Sequence, residues 1–272
     1  MHKSKIFIRD LCCVLALLYI STSDAALLVS EREIYIQGQK MWEAMNMGVP
    51  KSNNLSEVSQ AKCIAKKIIN ILDEPFIDED WEIEVFEDPV INASVLPGGK
   101  IAINTGLIDI TENQDQLAAV IAHEIAHTIE NHVFDRQKKA MRTKIGTAIG
   151  AGVIAGNIAN RTITSQSDIY TMNNQINALN TMGSVLSEYG LQLPYERKQE
   201  TEADIIGIKL MAKAGFNPFA SISIWKNMPK DNVPEFAKSH PSPENRIKGL
   251  SSQLSESLEL YNAVERKPRC TF

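Results

Sequence analysis

The sequence predicts an α+β fold, mainly helical with one small sheet. Two observations carry this. Apolar residues at helical spacing recur in both halves of the chain. Alternating, strand-like patterning appears in one stretch, residues 81–104. With 272 residues, 44% hydrophobic and 22% charged, the chain belongs with globular proteins rather than disordered, collagenous or coiled-coil ones. A chain of this length buries roughly 70 to 75% of its unfolded surface, enough for a sizeable core without disulfide stapling. The net charge of -5 argues against a nucleic-acid partner, which would require a basic face.

In chain order, Lys3, Lys5 and Arg9 followed by apolar Leu11–Ile20 and Ser23-Asp24-Ala25 read as an export leader cut near Ala25. The apolar run is too short to span a bilayer, which takes about 20 residues. Residues 1–25 are therefore expected to be a signal peptide and the mature chain to be periplasmic. Helices are expected over 31–47 and 55–72, the second with Leu55, Val58, Ala61, Ile64, Ala65, Ile68, Ile69 and Leu72 on one stripe. Trp81, Ile83 and Val85 alternate with glutamates as a strand with one wet face. Val90–Leu96 and Lys100–Asn104 follow as two more, joined at Pro97-Gly98-Gly99. A long helix over 112–142 is expected, with Thr111 as N-cap and Gln114 completing a capping box.

Residues 145–158 are small and apolar, suited to close helix approach, to covering a groove or to peripheral membrane contact. Residues 145–190 as a whole read as a mobile, Gly-rich insertion. A firm helix over 200–214 ends at Gly215, and two more, over 218–228 and 243–264, flank a Pro-containing loop that carries His240. Residues 26–267 thus read as one domain, with 268–272 as a tail. Export would leave only Cys63 and Cys270, either bridged between an early helix and the tail or present as one buried and one exposed thiol.

The chemistry concentrates in His123-Glu124-Ile125-Ala126-His127. Positions four apart on a helix are separated by about 40° and about 6 Å, so both imidazoles reach one metal ion while Glu124 addresses a water beside it. Two neutral nitrogen ligands, an open coordination position and an adjacent carboxylate are what zinc-assisted hydrolysis requires. The third ligand stays open between Glu200 and Glu202, with Asp204 one turn past Glu200 and suited to fix a ligand imidazole. His132, nine residues past His123, is expected to be an ordinary surface residue.

Together with Asn92-Ala93-Ser94, Pro97-Gly98-Gly99 and the late His240-Pro241 with Arg246, these motifs resemble the HtpX and CAAX-endopeptidase-like gluzincin zinc metalloproteases. The likeness is greatest to their soluble periplasmic, BepA- and LoiP-like branch, and it covers about residues 30–250. The resemblance implies a zincin-like domain with one Zn2+ per chain held by His123, His127 and Glu200. It implies Glu124 as general base, Asp204 behind the ligands, and an edge strand, lined by Asn92, Ala93 and Ser94, that lies over the zinc and binds substrate. It implies for His240 either a self-inhibitory fourth ligand or an oxyanion contact, and for Arg246 either the oxyanion or the orientation of its loop. The expected function is an exported endopeptidase that acts on misfolded or stalled envelope proteins. The alternatives are a narrow processing protease and a chaperone-like module with a latched zinc site.

Overall fold

The computed structural model describes residues 29–142, 195–228 and 243–270. Contacts divide the chain into two compact units. One comprises residues 1–33 and 137–193 and is described only over 29–33 and 137–142; the other, residues 34–136 and 194–272, holds the elements that build the site. The expected leader, the Gly-rich insertion after residue 142 and the loop with His240 lie outside the described residues. Among the described residues no helix is long and apolar enough to cross a membrane.

The elements are α1 (Glu31–Gly48), α2 (Leu55–Ile69), β1 (Glu82–Phe86), β2 (Ala93–Leu96), β3 (Lys100–Asn104), α3 (Thr105–Asp109), α4 (Gln114–Ile129), α5 (132–142), α6 (Arg197–Lys213), α7 (Ala220–Asn227) and α8 (Pro243–Ala263). The fold is α+β, mostly helical with one three-stranded mixed sheet. Asn54 starts α2 by accepting the Ser56 and Glu57 amides, and the helix buries Ala61, Ile64, Ala65 and Ile68 as its spacing predicts.

The sheet runs in the order β1-β3-β2, with β1 parallel and β2 antiparallel to β3. Period-two alternation gives it two faces. Val85, Val95, Ile101 and Ile103 enter the main core with α2 and α4, while Phe86, Leu96 and Ala102 pack with Trp42 of α1. Gly98 (φ 86°) and Gly99 (φ 68°) supply the left-handed conformations of the β2-β3 turn. Strand β2 begins at Ala93, not Val90, because Asp88 instead takes the Val90 amide on its side chain in a local turn.

The long helix expected over 112–142 is two helices with a different start. The Thr111 hydroxyl donates back to the Ile108 carbonyl (2.7 Å) at the end of α3. Asn113 caps α4 instead, accepting the Asp115 and Gln116 amides, both at 3.1 Å. At the other end Asn131 turns into the left-handed region (φ 58°), ends α4 and lets the chain restart as α5. Helix α4 is buried on all sides from Gln116 to Thr128, because α2, β2, α6 and α7 each pack on a different face of it.

Helix α6 opens with a reciprocal capping box between Glu196 and Gln199 and ends at Gly215 (φ 87°). It crosses α4 at Gly207, where a methyl would sit 3.1 Å from the His123 Cα. Helix α8 lies on α6 and α7. Beyond it, Cys270 is joined to Cys63 of α2 by a disulfide with Cα atoms 5.7 Å apart.

Candidate metal centre

Helix α4 presents His123 and His127 one turn apart, both buried. Their Nε2 atoms are 3.1 Å apart and their rings meet edge to face. Helix α6, brought close at Gly207, delivers Glu200. Its Oε2 lies 3.5 Å from His123 Nε2 and its Oε1 lies 3.4 Å from His127 Nε2. A tetrahedral zinc ion with ligands at about 2.0 to 2.1 Å spaces its donors about 3.3 Å apart. Three buried donors already at that spacing fit a metal ion, and among the described residues they form the one group of this kind.

Glu124 is buried beside this cluster. Burial pushes its carboxyl up to about 7, against the opposing charges of His123 and Arg136. His123 is pushed down by burial and by the Arg246 guanidinium. Hydrogen bonds with Asp204 and Glu200 outweigh both, leaving it raised to about 9, so a metal ion competes with a proton for this ring.

Asp204 stands behind the first imidazole, with Oδ1 3.2 Å from His123 Nδ1. The buried Arg246 of α8 grips Asp204 through Nε (2.8 Å to Oδ2) and through Nη2 to Oδ1. Its Nη1 is 3.4 Å from Glu200 Oε2, and its plane lies over the Trp225 ring at 4.3 Å. Burial drives the Asp204 carboxyl up, but Arg246 and the His123 hydrogen bond hold it below its ordinary range. The guanidinium thus touches the carboxylate behind His123, the carboxylate of Glu200 within the cluster, and the His123 ring itself, with Nη2 3.0 Å from Nδ1.

The structure brings together His123, Glu124, His127, Glu200, Asp204 and Arg246. Glu202 leaves the group: it points along α6 to His132, whose Nε2 is 3.3 Å from its Oε2. His132 is not the surface residue expected. It is buried, its Nδ1 lies 3.1 Å from His127 Nδ1, and burial pulls its pKa below the ordinary value despite Glu202. A second residue that sequence reasoning missed is Tyr195. Its ring stacks on His127 at 3.7 Å between centroids, with Arg136 over it at 4.1 Å. A lone aromatic ahead of a helix gives no sequence signal for such a role.

Strand β2, which begins with Ala93 and Ser94 just after Asn92, forms an outer edge of the sheet and packs on α4. The Asn104 amide donates to the Asn92 carbonyl (3.0 Å). Bonded and non-bonded pairs alternate in an antiparallel ladder, so the backbone groups of Ala93 and Val95 face away from β3. Arg136 Nη2 donates to the Val95 carbonyl (3.2 Å) on that outer side.

Residues 57–254 match the family model described as Peptidase family M48. The mitochondrial metalloendopeptidase OMA1 of Schizosaccharomyces pombe is 32% identical over 185 residues, 66% of this chain and 48% of that protein. Human mitochondrial metalloendopeptidase OMA1 is 28% identical over 255 residues, 89% of this chain and 46% of its own length. A putative beta-barrel assembly-enhancing protease of Vibrio cholerae is 29% identical over 169 residues, 60% of this chain and 32% of that protein. The chain spans half or less of the length of these relatives. The periplasmic location expected from the leader is overturned by them, because relatives in fission yeast, budding yeast, plant and human are named as mitochondrial proteins.

Proposed function

The chain belongs to peptidase family M48, and from that premise we propose that it is a zinc-dependent endopeptidase holding one ion between His123, His127 and Glu200. The observation that carries the reading is the donor spacing, 3.1 Å between the imidazoles and 3.4 and 3.5 Å to the carboxylate, with a buried carboxyl alongside. When bound, the ion supplies Lewis acidity toward a peptide carbonyl and acidifies water. Glu124 accepts the proton of the attacking water and returns it to the leaving amine, as its burial beside the three donors allows. Asp204 holds His123 by its Nδ1, and Arg246 holds Asp204.

The substrates in this reading are unfolded or misfolded polypeptides. An extended chain adds along the outer edge of β2, where the backbone groups of Ala93 face away from β3 and Arg136 holds the Val95 carbonyl, a pairing that depends little on side chains. The test is Glu124→Gln. It is expected to bind zinc as wild type does and to lose cleavage of an unfolded protein by at least about a hundredfold. Cleavage at the wild-type rate would refute Glu124 as the base.

A further inference from the structure

The two proposed ligand imidazoles are backed differently. His123 has a carboxylate on its Nδ1, held in turn by an arginine. His127 has another histidine on its Nδ1, and that histidine has a carboxylate on its far side, giving the series His127 Nδ1, His132 Nδ1 at 3.1 Å, and His132 Nε2 to Glu202 Oε2 at 3.3 Å. Glu202 in turn pairs with Lys198 one turn earlier on α6, 3.3 Å away.

The proton inventory of this series has one consistent solution. His127 turns its Nε2 toward His123 and Glu200, so as a ligand that atom carries a lone pair and the hydrogen must sit on Nδ1. His132 Nδ1 then accepts, which places the hydrogen of His132 on Nε2, and Glu202 accepts that hydrogen. Every ring is neutral and every facing pair is one donor with one acceptor.

We propose that His132, oriented by Glu202, is a positioning residue that fixes the tautomer and ring direction of His127 for metal binding. The inference rests on the reading of His127 as a ligand. The geometry has a structural cause. The left-handed Asn131 ends α4 and turns the chain so that the first residue of α5 faces back onto the last ligand of α4. The series therefore joins the end of α4, the start of α5 and the first turns of α6. Partners of this kind typically contribute 10- to 100-fold in metal affinity.

The experiment measures Zn2+ affinity by chelator competition and the visible spectrum of the Co2+-loaded protein for wild type, His132→Leu, His132→Gln and Glu202→Ala, with thermal unfolding of the metal-free forms alongside. His132→Leu removes the acceptor and is expected to weaken Zn2+ binding about 10- to 100-fold and to shift the Co2+ bands. His132→Gln, whose amide oxygen accepts while its nitrogen donates, is expected to restore affinity to within about threefold. Glu202→Ala, at a partly exposed site that leaves the core intact, is expected to weaken Zn2+ binding by up to about tenfold. Should His132→Gln lose as much affinity as His132→Leu, or all three variants bind as wild type does, the inference is overturned while the metalloprotease reading stands. If the wild-type protein itself binds neither ion, the reading beneath the inference fails.

Discussion

Gly207→Ala tests whether the close approach of α6 to α4 sets the metal-binding geometry. A methyl at Gly207 would lie 3.1 Å from both the Cα and the amide nitrogen of His123 and 3.3 Å from the carbonyl carbon of Ala122. These are backbone atoms in the middle of a buried helix, so no side chain can swing aside and the helices must part by several tenths of an ångström. In isolation the change would favour the helix by about 1 kcal/mol. Overpacking costs about 1 to 3 kcal/mol, so the net expectation is a loss of up to about 2 kcal/mol. Glu200 lies two turns before Gly207 on the same face of α6, so the displacement reaches the carboxylate that sits 3.5 Å from His123. We expect urea unfolding to show a lower midpoint with an unchanged slope, and Zn2+ affinity to fall about tenfold, equivalent to about 1.4 kcal/mol. Gly249→Ala in α8, where an added methyl meets nothing within 4 Å, is the control and should gain up to about 1 kcal/mol. A Gly207→Ala protein that gains as much as the control and binds Zn2+ normally would refute the argument.

Other outcomes follow from single features. The disulfide closes a separation of 207 residues, so its reduction should cost up to about 5 kcal/mol in the chain-entropy model, read as a lower urea midpoint; equal midpoints for the oxidised and reduced forms would contradict this. In the metal-free protein Glu124, raised from 4.5 to about 7, keeps its proton folded where the unfolded chain has lost it. The Glu124 contribution to stability therefore falls as pH rises across that window and levels above it. Glu124→Gln lacks this fall and should be the more stable protein above about pH 7 by roughly 3 kcal/mol, and equal to wild type near pH 4; parallel pH profiles would exclude it. Asn131→Ala should destabilise by about 1 to 2 kcal/mol because its φ is 58°, whereas Asn131→Gly should be tolerated.

What was legible in the sequence is what a regular helix encodes locally. His123, Glu124 and His127 lie within one turn and a half, and Glu200 and Asp204 are likewise one turn apart, so each set could be placed on a face by counting. The choice of Glu200 over Glu202 needed the family likeness, because spacing alone allows either. His132 was misplaced for a physical reason. Nine residues of continuous helix turn the side chain to the face opposite His123, and the expectation assumed a continuous helix. One residue in a left-handed conformation breaks that assumption, and an asparagine in a polar stretch announces it only weakly. Thr111 and Asn113 are both good caps. The contest was decided by the short helix α3, whose last carbonyls take the Thr111 hydroxyl. Arg246 reaches Asp204 across 42 residues and Trp225 supports it from a third helix, contacts that no local pattern specifies.

Gln114, the first residue of α4, places its amide on the tail: Nε2 donates to the Pro268 carbonyl (3.0 Å) and Oε1 accepts from the Cys270 amide (2.7 Å). One side chain reads the tail as a neighbouring strand would, by backbone alone. Pro268 and Cys270 are buried while Arg269 between them points to solvent. The tail is therefore specified in length and not in composition at its middle position. Substitution of Arg269 should pass unnoticed, while removal of one residue there would set the Cys270 sulfur and the Gln114 amide competing for incompatible registers.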